Sequence, residues 1–174
     1  MLNKADITVL GAGIDGLGLA TRLKQDNPSL AVTLVGPADE RPQRICTWVH
    51  SKQLLPTLLE SCVDKRWKSW EIRDAAGAMH AHHANTWHYT SFNGKNLKQK
   101  QAELAHRLNI IHIPERCHNV HKRTSGYQIV SDGHTIDSSQ VVDTRPPTIP
   151  TTTVKQQFLG QVIRCTKTHQ FRYP

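Results

Sequence analysis

The chain has 174 residues, 37% of them apolar and 21% charged, and its 22 Lys and Arg against 14 Asp and Glu leave a net charge of +8. That length suffices for one domain of ordinary size with its own core, the composition excludes a wholly disordered chain, and no stretch approaches the ~20 apolar residues of a spanning helix. The basic excess calls for an acidic partner, but the Lys and Arg are scattered in runs no longer than Lys65-Arg66 or Lys122-Arg123, so no nucleic acid is expected.

The first residues read as a short buried strand over 6–10, Ile-Thr-Val-Leu in its apolar part, followed at once by glycines. Leu17, Leu19, Ala20 and Leu23 then recur at helical spacing over 15–24, and Asp26-Asn27-Pro28-Ser29 ends that helix. A second β-branched strand follows over 31–35. Strand, helix and strand within about 30 residues make a βαβ unit, and such a unit implies a parallel sheet. From Pro37 to Val49 the chain reads as irregular and polar, and a helix is expected over 52–62, with Pro56 near its start or kinking it. Residues 66–74 read as a strand that pairs across Ala75-Ala76-Gly77 with 78–83. Residues 97–108 predict an amphipathic helix, and 110–113 a short parallel strand. Strands over 117–123, 126–131 and 134–136 form a meander, with turns at Thr124-Ser125-Gly126 and Asp132-Gly133. Residues 140–143 predict a further buried strand, Pro146, Pro147 and Pro150 an extended connector, and 157–164 a last strand. The class is α/β: a Rossmann-like parallel sheet with helices plus an antiparallel meander, over 1–150, and 151–174 begin an incomplete second region.

The opening segment carries Asp6 and Asp15 and no small-residue cleavage site, so no secretory leader is expected. The four cysteines are far apart with no C-x-x-C pair, which fits reduced thiols in a cytoplasmic protein.

Gly11-Ala12-Gly13-Ile14-Asp15-Gly16 is G-x-G-x-x-G between a strand and a helix. In that setting the first glycine permits the tight turn, the second lets the backbone approach a pyrophosphate, and the third lets helix and strand pack closely. The helix N-terminus then offers free N–H groups to the phosphate. One part of the pattern departs. An acid that holds the ribose is expected about 20 residues on, and that place holds Gly36, with Asp39 and Glu40 shortly after it.

Thr47-Trp48, Trp67, Trp70-Glu71-Ile72-Arg73, Tyr89-Thr90-Ser91, Val141-Val142-Asp143-Thr144-Arg145-Pro146-Pro147 and Gln157-Phe158-Leu159-Gly160 follow the glycine turn in order. Together the pieces resemble the N-terminal part of the bacterial lycopene β-cyclase family of flavoproteins, over residues 6–174. The resemblance covers the front portion of a longer family pattern, so the chain is expected to be truncated before the substrate domain is complete. It implies closure of the linear ends of lycopene to β-ionone rings, an acid–base isomerisation in carotenoid biosynthesis that needs FAD reduced by NAD(P)H. By position, Gly11, Ala12, Gly13, Ile14 and Gly16 would hold the FAD pyrophosphate, with Asp39 and Glu40 within reach of the ribose. Arg44, Trp48, Asp143 and Arg145 would lie in the segments that approach the cofactor. No catalytic residue is assigned. Implied partners are the carotenoid and a C-terminal chain that completes the site. An insoluble substrate together with the +8 charge also suggests an anionic membrane surface, met from its inner face.

Alternatives stay open. Another flavin- or nicotinamide-dependent oxidoreductase shares the nucleotide fold, and a non-catalytic fragment or the cofactor-binding half of a split protein would look the same in sequence. His80, His82, His83 and His88 invite a metal, but on a strand only His80 and His82 share a face and no third ligand is specified, so no metal is expected. Trp67 and Trp70 serve either packing or a substrate- or membrane-facing surface. Asp143 and Arg145 either pair with each other or approach the cofactor.

Overall fold

The computed structural model describes residues 3–37 and 44–146. The described elements are β1 (Asn3–Leu10), α1 (Ile14–Asp26), β2 (Val32–Val35), β3 (Arg44–His50), α2 (Thr57–Glu60), β4 (Val63–Trp67), β5 (Ser69–Arg73), β6 (Met79–His83), β7 (Trp87–Asn93), α3 (Gly94–Arg107), β8 (Ile111–Ile113), β9 (Cys117–Arg123), β10 (Gly126–Ser131) and β11 (Thr135–Asp143). They form the expected α/β class. One six-stranded sheet runs β8-β2-β1-β11-β10-β9, a second runs β3-β7-β4, and β5-β6 make a hairpin.

The large sheet is parallel from β8 through β2 and β1 to β11, and antiparallel from β11 through β10 to β9. The βαβ reading and the parallel placement of β8 are therefore borne out, as is the meander. One meander detail is corrected. The strands read separately over 134–136 and 140–143 belong to one strand, β11 (Thr135–Asp143), which pairs with β10 over its first half and with β1 along its length. Ser138 and Gln140 lie in mid-strand, where the Ser138 hydroxyl donates to the Gln140 carbonyl at 2.7 Å. Polar residues thus interrupt the pattern without interrupting the strand.

The core of this half consists of two buried clusters. In one, the fully buried Val9 and Leu34 pack with Leu17 and Ala20 of α1 and Ala105 of α3; in the other, the fully buried Leu10, Ile129 and Ile136 pack with Ala5, Val35 and Ile113. Each such Leu, Ile or Val contributes ~1.5–3 kcal/mol through burial. All four residues of β2 are buried, the continuous apolar run expected of a strand covered on both faces. Capping is local. The Asn93 side chain accepts from the Asn96 N–H at 3.0 Å at the start of α3. Asn109, at φ 55°, turns the chain out of α3, with the Ile110 N–H donating to the Ala105 carbonyl at 3.0 Å.

Between α1-β2 and α3 the reading needs more correction. The segment read as irregular contains β3, whose Ile45, Thr47 and Val49 alternate along a full antiparallel register with β7. The helix expected over 52–62 reduces to the single turn Thr57–Glu60, because Pro56 caps it and cannot lie within it. The strand read over 66–74 is two, β4 and β5, meeting at Lys68 and lying in different sheets. Tyr89-Thr90-Ser91, quoted above only as a motif, is the centre of β7, the middle strand of the second sheet. The β5–β6 hairpin forms as read, with Trp70 opposite His82 and Ile72 opposite His80. The connector beyond Pro146, the strand read over 157–164, and Asp39 and Glu40 lie outside the described residues.

Candidate functional site

The glycine turn sits at the carboxyl end of β1, where open parallel sheets bind ligands. Its three glycines are used differently. Gly11 takes φ +105°, and a Cβ there would meet the Thr144 hydroxyl at 2.7 Å. A Cβ on Gly16 would stand 1.8 Å from the Gly11 carbonyl oxygen, so only glycine lets α1 start this close to β1. A Cβ on Gly13 would meet nothing within 4 Å. Gly13 is exposed, is the N-cap of α1, and has no side-chain cap on the N–H groups that follow. Tight closure at Gly11 and Gly16 thus goes with open space at Gly13, in front of the first N–H groups of α1. Asp15 in the first turn is exposed and sets one negative charge beside them.

The end of β11 closes the turn from the other side. The Thr144 N–H and its hydroxyl both donate to the Leu10 carbonyl, at 2.9 and 2.8 Å. Arg145 grips Asp143 through Nε (2.9 Å) and a terminal nitrogen (2.7 Å), and its other nitrogen donates to the Cys117 carbonyl at 3.1 Å. The guanidinium holds the Asp143 carboxyl below the usual carboxylate range, and the carboxylate raises Arg145 in turn. Burial pushes the neighbouring Cys117 thiol up, so it stays protonated and is a poor nucleophile.

A cavity of about 710 Å³ opens in front of the turn, within the size range of small-molecule and cofactor sites. The backbone side is Gly11 to Asp15 with Thr144, Arg145 and Pro146. The facing side is apolar: Ile45 and Val49 of β3, Leu55 and Leu59 around α2, Phe92 of β7 and Leu97 of α3. Trp48 also lines it. The indole is 43% exposed, with its ring 4.6 Å edge-to-face from Trp70 and 5.0 Å from Tyr89. Tyr89 lies 6.2 Å from Trp67, and Trp70 stacks on His82 at 5.4 Å. The two tryptophans in question are thus half-buried in one aromatic cluster that continues from the cavity lining to the hairpin. Burial raises the Tyr89 hydroxyl, with Cys46 adding to it.

Of the residues named from sequence, Gly11, Ala12, Gly13, Ile14, Trp48 and Arg145 line this one cavity, and Gly16 shapes its wall from behind. Asp143 does not line it and is engaged by Arg145. Arg44 begins β3, opposite Asn93. Thr144 was missed as a residue of interest, although it stands between the two that were named. The apolar wall was missed with β3 itself. Its signal was the alternation Ile45, Thr47, Val49, masked by the polar residues before it. Among the described residues no three His, Cys, Asp or Glu side chains gather as a metal site. No helix among them is long and apolar enough to cross a membrane.

The family described as lycopene cyclase protein matches residues 6–173. No curated protein sequence matches the chain significantly. Among solved structures, the peptidyl tryptophan dihydroxylase QhpG aligns over 86% of this chain and 34% of its own, at TM-score 0.55 and 18% identity. The amino acid oxidase NikD in its open form aligns over 82% and 51%, at TM-score 0.61 and 12% identity. The flavin-dependent brominase Bmp2 aligns over 81% and 38%, at TM-score 0.55 and 10% identity. At these identities the likeness is one of fold. The chain spans about a third to a half of the length of these structures.

Proposed function

The chain belongs to the lycopene cyclase family, and from that premise we propose that it is a flavoprotein that holds FAD on the glycine turn and acts on the ends of a linear carotenoid, closing lycopene to β-ionone rings. The observation that carries the reading is the cavity. One side offers uncapped N–H groups and an open Gly13 to a pyrophosphate, and the other presents Ile45, Val49, Leu55, Leu59 and Phe92 to an apolar ligand. A hydrocarbon polyene has no polar group to bind, so burial against such a wall is what can hold it.

When bound, reduced flavin would supply negative charge beside a developing carbocation, with NAD(P)H as the reductant. The chain's own residues do the rest of the work at this end. The uncapped N–H groups at the start of α1, just after Gly13, would hold the phosphates, while the Gly11 N–H is taken by the Val35 carbonyl. Thr144 and the Asp143–Arg145 pair fix the end of β11 against the turn, so that the guanidinium faces the cavity with its position set. The apolar wall keeps water from the reacting end. No described side chain is assigned as the proton donor.

The likeness to a flavin-dependent brominase supports the cofactor class through the fold. The exposed Trp48, Leu54 (94% exposed) and Trp87 support contact with a further surface, either an anionic bilayer that delivers the carotenoid or a partner chain that completes the cavity. Residues 1–150 would then be the nucleotide-binding unit and 151–174 the start of the region that meets the substrate. The test is made in lycopene-accumulating bacteria producing the chain. Ring-closed carotenoid is expected by chromatography, and Gly13→Val should abolish it. Linear lycopene alone, in cells that hold folded and flavin-loaded chain, would overturn the cyclisation and leave the flavin reading standing.

A further inference from the structure

Among the described residues, the end of β2 carries no carboxylate of the kind that dinucleotide folds usually place there for the ribose. Resting on the dinucleotide reading above, we propose that His112 takes that place, so that the site accepts a 2′-phosphorylated adenine nucleotide at least as well as a 2′-hydroxyl one. An acid at the end of the second strand binds the ribose hydroxyl and repels a 2′-phosphate. In this chain that position is Gly36, and the reason is steric. A Cβ on residue 36 would stand 2.5 Å from the Ala12 nitrogen and 3.2 Å from the Ala12 Cβ. Any aspartate or glutamate there would displace the glycine turn itself.

The polar groups of Gly36 are taken up by β8. Its N–H donates to the Ile113 carbonyl at 3.0 Å, and its carbonyl accepts from His112 Nε2 at 2.9 Å. A carbonyl oxygen only accepts, so Nε2 carries the proton. His112 is exposed and lies opposite Leu34 in the β2–β8 register, two residues before Gly36 on the strand that ends at the turn. Among the described residues its hydrogen-bond partner is that carbonyl and not a carboxylate, so the imidazole is free of an anion that would compete for it. A small rotation moves the Nε2–H to a phosphate oxygen and leaves the Gly36 carbonyl to accept from a ribose hydroxyl. One donor and one acceptor are exchanged for another pair, with neither left unsatisfied.

The test is calorimetric titration of the whole chain with ADP-ribose, its 2′-phosphate, and FAD. The 2′-phosphate is expected to bind at least as tightly as ADP-ribose. His112→Ala should lose about tenfold for the phosphorylated ligand, as for a charge-assisted hydrogen bond, and less than about twofold for ADP-ribose. His112→Gln keeps an N–H donor and should recover most of the loss, which separates a binding role from a packing one. Binding of FAD with ADP-ribose preferred tenfold or more would overturn this inference and leave the flavin reading intact. So would a His112→Ala chain that binds the 2′-phosphate unchanged. Binding of the 2′-phosphate without FAD would support it and overturn the flavin reading. A folded chain that binds none of the three overturns both.

Discussion

The glycine turn between β1 and α1 and the β5–β6 hairpin are both short, local pieces of chain, and they sit at opposite extremes of packing. At the turn a single methyl group would collide with backbone at 1.8 Å. In the hairpin all five residues of β6 are exposed, and Ile72 and Met79 are more than half exposed. The turn is held by buried strands on both sides, whereas the hairpin is held by its own ladder and by ring contacts from Trp70. The molecule thus concentrates its close packing at the glycine turn and leaves its aromatic edge open. Local opening follows the density of buried contacts, so the hairpin should exchange its amide protons well before β1 and β11.

The comparison can be broken most sharply by substitutions within the turn. Gly16→Val is expected to cost at least about 3 kcal/mol of unfolding free energy, because the clash is with backbone that cannot yield. Gly13→Val, three residues away, has extended backbone and open space, and should stay within about 1 kcal/mol of the parent in urea titration. Equal losses at the two positions would mean that the turn is not built as described. Next in size, Leu34→Ala should cost about 2–5 kcal/mol, whereas Ile72→Ala and Met79→Ala should fall within about 0.5 kcal/mol. A large loss at Met79 would show that the hairpin is covered in solution.

Acid should weaken the end of β11 and the meander. Asp143 is lowered chiefly by its hydrogen bonds from Arg145, Glu115 by the Ser131 hydroxyl, and Asp132 by His118. A carboxyl whose folded pKa is depressed adds stability that is complete above its unfolded value, about 4, and is lost as pH falls through the folded one. Stability should therefore hold steady above about pH 5 and fall below about pH 4. Asp143→Asn should flatten part of that fall while costing no more than about 1 kcal/mol at neutral pH, since the pair is partly exposed. A parent chain whose melting temperature is flat from pH 5 to 3 would contradict the assignment. The smallest effect expected is at Asp15, whose charge opposes an anion at the first turn of α1. Asp15→Asn should tighten FAD about twofold at low salt and less at high salt.

The large sheet was legible in the sequence because its signals are local and redundant. β1, α1 and β2 announce themselves by apolar runs, the glycine turn and a clear stop at Asp26-Asn27-Pro28-Ser29. The second sheet was half legible. β3 and β7 hold polar residues at the very centre of the pairing, Thr47 opposite Thr90 and Cys46 opposite Ser91, and Thr90 and Ser91 are fully buried. Burial there comes from neighbouring strands and α3, which no window of sequence reports. The split of β4 from β5 at Lys68 is likewise a tertiary decision. For the site, the backbone of the glycine turn followed from glycine spacing alone. The apolar wall did not, since it is assembled from β3, α2, β7 and α3, elements that meet only in the fold. Gly36 shows both sides of the matter. Its departure from the acid pattern was plain in the sequence, and its cause, the closeness of Ala12, was not.

The most direct measurement is an FAD titration of the folded 174-residue chain followed by flavin fluorescence, with Gly13→Val in parallel. The account predicts saturable binding that Gly13→Val weakens by at least about tenfold while the melting temperature without ligand barely moves, because the substituted side chain occupies the space kept for the phosphates. Binding unchanged in Gly13→Val, or no binding by the folded parent chain at millimolar FAD, would contradict it.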